Sequence, residues 1–176
     1  YFSVENEAGR LQPKFVAVAN LEGDPGGVIR QGNERVLRAR FNDAQFFWNA
    51  DQKQSLTDRI KGLQAVTFQT KLGSYFDKAE RNRKIAIDLA QALGLSSKET
   101  SHVSRAAELA KCDLSTELVG EFPELQGIVG GIYAKIQGEP LAVADAIYDH
   151  YHPSSAGDTI PRGTVGQLTA IADKLD

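Results

Sequence analysis

Residues 74–94 read SYFDKAERNRKIAIDLAQALG. Ser74 stands where a helix N-cap belongs, and Gly94 where a helix stops. Between them Phe76, Ala79, Ala86, Leu89, Ala90 and Leu93 recur at helical spacing, so the stretch predicts one long amphipathic helix. The pattern continues downstream. Ser96 and Ser97 open a helix carrying Val103, Ala106, Ala107, Leu109 and Ala110, and a further helical stretch runs through Leu118 and Val119. Pro123 suits the first turn of a helix reaching about Ile136 and ended by Gly138; Pro140 opens another to about Tyr151. After a loop from Pro153 to Gly163, Thr164 is expected to cap a last helix still in progress at Asp176.

Upstream, Asp51 is expected to start a short helix with Leu56, Ile60 and Leu63 inward. Before it, Asn33 is the expected N-cap of a helix with Leu37, Phe41, Ala44 and Trp48 on one stripe and Arg35, Arg38 and Asn42 off it. Gly23-Asp24-Pro25-Gly26-Gly27 reads as a turn, because no GKS or GKT follows to make a phosphate cradle. Tyr1–Asn6 and the FVAVANL run up to Leu21 flank Glu7-Ala8-Gly9-Arg10, which predicts a β-hairpin buried on at least one face. The fold class that follows is mainly α: a short β-hairpin and then seven or so helices.

Composition narrows the function classes. At 176 residues, 41% apolar and 24% charged, the chain suits one ordinary domain or a domain with an appendage, neither disordered nor fibrous. No apolar run approaches the ~20 residues of a membrane helix, and no basic-then-apolar leader opens the chain. The single Cys112 has no internal disulfide partner, which fits a reducing cytoplasmic setting. The absence of methionine implies a piece of a longer polypeptide. Residues 1–84 carry fourteen Lys/Arg against ten Asp/Glu, whereas residues 85–176 carry six against thirteen. The front is basic and the back acidic, so only one side suits a polyanion.

Few residues offer catalytic chemistry. His150 and His152 form an H-x-H pair beside Asp149 with Asp158 downstream, but Pro153 follows at once and no helix presents a second pair at metal-ligating spacing. His102 is isolated, and Cys112 on an Ala-rich helix reads as a small core residue. No G-x-S-x-G occurs. The basic residues are more suggestive. Lys71, Lys78, Arg81, Arg83 and Lys84 cluster at the start of the long helix, with Arg30, Arg35, Arg38 and Arg40 before it. Such a set can hold phosphates; equally, the interleaved Asp77 and Glu80 can pair with it along the helix.

Longer blocks carry a resemblance. Residues 32–48 (GNERVLRARFNDAQFFW), 106–127 (AAELAKCDLSTELVGEFPELQG) and 172–176 (ADKLD), with YFSVEN at the start and LGSYFDKAERNRK in the middle, are similar in order to the β subunit of the bacterial-type glycyl-tRNA synthetases. The resemblance runs over essentially all 176 residues. It implies an α2β2 enzyme in which the α subunit activates glycine with ATP and Mg, while β supports tRNA binding and aminoacyl transfer. It also implies a division of this chain. Residues 1–63 would be a hairpin plus helices of a preceding region, and residues 64–176 an HD-like helical domain.

HD phosphohydrolases hold metal with a His on one helix, a His-Asp pair on another and a distant Asp. In this chain helix 74–93 has no histidine, and the His-Asp pair falls near Ala110 and Lys111 in AAELAKCDL. Only Asp173 in ADKLD matches. One carboxylate does not hold a divalent ion, so the resemblance implies a degenerate site with no catalytic or metal-binding residue and no cofactor of its own. The expected partners are tRNA-Gly, the α subunit and the rest of β. The RNA-facing residues expected from charge clustering are Arg35, Arg38, Lys78, Arg81, Arg83 and Lys84. Two other readings remain at this point. One is a metal-dependent phosphohydrolase using His150, His152 and Asp173; the other is an architectural module that braces β or docks on α without touching RNA.

Overall fold

A computed structural model describes residues 1–176. Two antiparallel strands come first, β1 (Phe2–Glu5) and β2 (Leu11–Val16), with Phe2 opposite Val16 and Ser3 opposite Phe15. Asn6 closes their connection, its Oδ1 accepting from the N–H groups of Ala8 and Arg10, while Gly9 takes φ +70°. The hairpin forms as expected, but neither face is buried: Val4, Gln12 and Phe15 are half-covered and the other strand residues exposed.

Helix α1 (Val28–Asp51) starts ahead of Asn33. The expected cap is overtaken by Asp24, whose carboxylate accepts from Ile29 N at 2.9 Å and Arg30 N at 3.0 Å. The bonds from Arg30 and Ile29 hold the Asp24 carboxyl below the usual carboxylate range. Asn33 lies inside the helix, and its Oδ1 accepts from the Tyr1 hydroxyl at 2.6 Å. Asp51 ends α1 instead of starting the next helix; Ser55 does that, in a reciprocal capping box with Asp58, for α2 (Leu56–Arg59).

The chain divides into two compact units, Tyr1–Phe46 and Phe47–Asp176. Leu56 and Leu63 are core residues of the second unit, 1% and 0% exposed. After a 3₁₀ turn (Ile60–Ala65), β3 (Thr67–Gln69) and β4 (Gly73–Ser74) pair briefly around Gly73, a ladder that short-range patterning does not reveal. The bundle follows: α3 (Tyr75–Ala92), α4 (Ser97–Leu109), α5 (Glu117–Glu121), α6 (Ile128–Ile136), α7 (Leu141–Asp149) and α8 (Gly163–Leu175).

Local sequence explains most of these ends. Ser74 with Asp77 and Ser96 with Glu99 form capping boxes at the starts of α3 and α4. Gly94 at φ +68° lets Leu95 N reach back to Ala90 O, closing α3. Pro123 opens only a 3₁₀ turn, Pro123–Leu125, so the expected helix begins later. The Asp113 carboxylate binds Gly127 N at 2.6 Å and Gly130 N at 3.2 Å, which sets the start of α6 at Ile128. Arg162, not Thr164, is the N-cap of α8.

Helices α3, α4, α7 and α8 enclose the core. Ala86, Ala90, Ala106, Ala107, Ala144, Ala146 and Ala172 are nearly inaccessible, with Val103, Leu109, Val143, Ile147 and Leu168 between them. Small residues bring helix axes together, and the larger ones fill the spaces. Of the apolar stripe expected on α3, Leu93 departs, 63% exposed, because it sits past the last packed turn as C-cap. Mainly α architecture with an N-terminal hairpin is what the chain adopts. No helix is long and apolar enough to cross a membrane.

Gly131 marks the tightest helix crossing. A Cβ there would meet Ala144 O at 2.8 Å and Tyr148 Cα at 2.9 Å, both on the backbone of α7. Gly131→Ala is therefore expected to lower stability by about 1–3 kcal/mol through overpacking, whereas Gly120→Ala, with open space at Cβ, changes little. Urea unfolding of both variants checks this; equal midpoints would contradict the crossing.

Candidate functional site

The cluster that dominates the bundle interior is built around a lysine. Lys111 follows α4 and is 2% exposed. Its Nζ donates to Asp173 Oδ2 of α8 at 2.8 Å and lies 2.9 Å from His150 Nε2 at the end of α7. It also sits 3.9 Å from the Tyr151 ring centroid. His150 Nδ1 is 2.6 Å from Ile147 O, which accepts, so the proton sits on Nδ1 and Nε2 is free to accept from Lys111. Burial, reinforced by Lys111, pushes the His150 pKa down to about 3, so the ring is neutral. Burial also draws the Lys111 ammonium below the ordinary lysine value, against the pull of Asp173. For Asp173, burial acts upward but is outweighed by Lys111, His150 and Lys78, and the carboxyl stays below its ordinary range.

A second tier surrounds this centre from α3. Asn82 Nδ2 donates to Asp173 Oδ1 at 2.8 Å, and Lys78 Nζ bonds Asp173 O at 2.9 Å and Asp176 Oδ2 at 3.3 Å. Lys78 is 5% exposed and stands 4.7 Å from the Phe68 ring centroid. Arg81 forks onto both oxygens of Asp176 and bonds Leu72 O at 2.9 Å. Lys78 and Arg81 thus meet carboxylates of α8 and the chain end, and Lys78 has no surface to offer. Arg83 shares its guanidinium with Glu80 at 3.2 Å, and Lys84 is exposed with no carboxylate partner.

The three side chains of the phosphohydrolase reading separate. His150 and Asp173 converge, but on the Lys111 ammonium, a positive charge where a cation would have to sit. His152 is outside, paired with Asp158 at 2.9 Å. No three His, Cys, Asp or Glu side chains are grouped to hold a metal ion, and Ala110 contributes no ligand atom. Cys112 is fully buried, and burial raises its thiol to about 12, so no thiolate is available. The interior cluster therefore fastens helices together.

A different surface lies on α1. Gln31, Arg35, Arg38, Asn42 and Gln45 follow i, i+4, i+7, i+11 and i+14 spacing, so they share one face, and all five are exposed. That face extends over about 21 Å at 1.5 Å per residue. It holds guanidinium and amide groups, and Glu34, i+3 from Gln31 and i−4 from Arg38, borders it. Glu34 is engaged to Arg30 at 3.7 Å, and Asp43 falls on another side of the helix. The sequence reading named Arg35 and Arg38 but missed Gln31 and Gln45; helical phase alone was enough to find them.

Comparison with known proteins adds the family. The model of the glycyl-tRNA synthetase beta subunit matches residues 1–176. The chain is 53% identical over 180 residues to a protein of Acidobacterium capsulatum named glycine–tRNA ligase beta subunit, covering 99% of this chain and 25% of that protein. It is 47% and 46% identical to proteins of the same name from Neisseria meningitidis serogroup C and Syntrophotalea carbinolica, covering 100% of this chain and 25% of each of theirs. The chain spans about a quarter of the length of these curated relatives. A match along every residue, at identities near one half, leaves one assignment: the chain belongs to the glycyl-tRNA synthetase β-subunit family.

Proposed function

We propose that this chain is a non-catalytic, RNA-facing part of a glycine–tRNA ligase β subunit. It helps hold tRNA-Gly in the cytoplasm while the α subunit activates glycine with ATP and Mg. Its partners in this reading are tRNA-Gly, the α subunit and the remainder of β. The observation that carries the reading is the face of α1 where Arg35 and Arg38 stand exposed and unpaired among three amide side chains, the bordering Glu34 being engaged to Arg30. Guanidinium groups bind backbone phosphates, and amides hydrogen-bond to sugars and base edges. Lys84, exposed on α3, is a secondary contact, and Arg83 a weaker one because Glu80 competes for it. The buried Lys78 and the partly exposed Arg81 act instead by holding Asp176 just past α8. The domain keeps an HD-like scaffold in which Lys111 stands in for the metal, so it organises and does not hydrolyse.

The test is a salt titration of tRNA-Gly binding by the full-length β subunit. Each lost phosphate contact reduces the log–log salt slope by about one. Arg35→Glu/Arg38→Glu is expected to weaken binding by about tenfold or more at low salt and to flatten the slope by about two. Lys84→Glu is expected to remove about one. Unchanged affinity and slope in the double variant, with unfolding midpoints intact, would refute the RNA-facing reading and leave the architectural one.

A further inference from the structure

Residues Tyr1–Phe46 form a compact unit with two strands and most of a long helix, yet not one of them is buried. Every buried residue of the chain lies at Asp51 or beyond. The hairpin and the first half of α1 instead border an open groove of about 1140 Å³. Phe2, Leu11 and Phe15 line it from the hairpin, and Leu37 and Phe41 from the helix. Phe2, Leu11 and Phe41 are 63%, 70% and 67% exposed. The sheet beside it has only two strands, and both outer edges are unpaired.

Such a unit is incomplete by physical criteria. A two-stranded hairpin is marginal in water without further strands or a packed face, and contiguous apolar surface of this kind marks an interaction site. We propose that the groove is filled in cis, by an apolar segment from the rest of the same β-subunit polypeptide. About three quarters of the length of the relatives lies outside these residues, so ample chain exists to supply it. A unit that has no core of its own needs an occupant that is always present. A tethered segment meets that need, because linkage turns docking into an intramolecular step at high effective concentration. A dissociating partner would leave the hairpin unsupported between encounters. The proposal rests on family membership; Arg38 and Asn42 of the α1 stripe also border the groove, and hydrogen exchange measured without RNA tests its filling separately from RNA binding.

Amide hydrogen exchange distinguishes the occupants. The wild-type full-length β subunit, free of α, is compared with the 176-residue chain at several concentrations and with the αβ complex. The amides of Phe2–Glu5, Leu11–Val16 and residues 28–46 are expected to exchange about tenfold or more slowly in the free β subunit than in the 176-residue chain. Equal rates would overturn the proposal. Protection that appears only when α is added would assign the groove to that subunit. Protection in the short chain that grows with concentration would assign it to a second copy, and each of these also overturns it. In the full-length subunit, Phe41→Asp is expected to restore fast exchange in both strands while α3 and α8 stay protected. Unchanged strand protection in that variant would refute the groove as the seat. Failure of Phe41→Asp to fold leaves the wild-type comparison to decide.

Discussion

Asp173→Ala is expected to lower the unfolding free energy of the chain by about 3–5 kcal/mol, the range for removing one partner of a buried charge pair. The carboxylate is the point where α3, α4 and α8 meet. It accepts from Asn82 and Lys111 and lies 3.4 Å from Lys78 Nζ. Without it two ammonium groups, both on residues no more than 5% exposed, are left to repel across the interior. Removing the cation along with the anion is expected to recover much of the loss, since an apolar pair of similar volume often replaces a buried ion pair without cost. Lys111→Met/Asp173→Leu is thus expected to be more stable than Asp173→Ala, a strongly non-additive result. Urea unfolding followed by Trp48 measures both; Trp48 is the sole tryptophan and packs edge-on against the buried Tyr133, ring centroids 5.1 Å apart. A loss under about 1 kcal/mol for Asp173→Ala, the level of an exposed pair, would show that the cluster is not a structural centre. The pH dependence has a definite sign. The folded carboxyl titrates below the ordinary aspartate value, so its contribution is present above that value and is lost as pH falls through the folded value. The gap between wild type and Asp173→Ala should narrow on acidification.

The second large effect is expected at Asp51→Ala, again about 3–5 kcal/mol. Asp51 is 1% exposed. It accepts from Glu117 N and Leu118 N, both at 3.0 Å, and from Tyr133 OH at 3.2 Å, and pairs with Arg59 at 3.0 Å. The truncation orphans two helix-start N–H groups and leaves the 8%-exposed Arg59 guanidinium with only carbonyl partners such as Ser115 O. Asp51→Asn retains one acceptor oxygen and is expected to lose less, because one N–H group remains satisfied. The same urea titration tests the order, and Asp51→Asn falling as far as Asp51→Ala would show that charge matters and the caps do not.

Both clusters fasten the helices of the Phe47–Asp176 unit. In the proposed reading the exposed face of α1 binds and the interior clusters stabilise, and the variants separate the two. Arg35 and Arg38 should move binding and leave unfolding midpoints alone, while Asp173 and Asp51 should move stability first.

Read by itself, the sequence determined whatever depends on neighbours within a turn or two. The helices announced by Ser74, Ser96 and Gly94 form where those residues cap them, because a hydroxyl and a carboxylate three residues on satisfy the backbone donors locally. The hairpin and the mainly α class were legible for the same reason. Phase carried a further warning that went unread: Lys78 precedes Asn82 and Ala86 at i, i+4 and i+8, on the buried side of α3. Which partners those positions meet was decided only by the tertiary structure. Lys78 and Asp173 are separated by 95 residues and Lys111 and Asp173 by 62. A cation on a helix looks the same in sequence whether water or a distant carboxylate faces it; the packing of α8 against α3 and α4 makes that choice. The same holds for the hairpin, whose alternating pattern predicts a buried face that residues 1–46 have no core to cover.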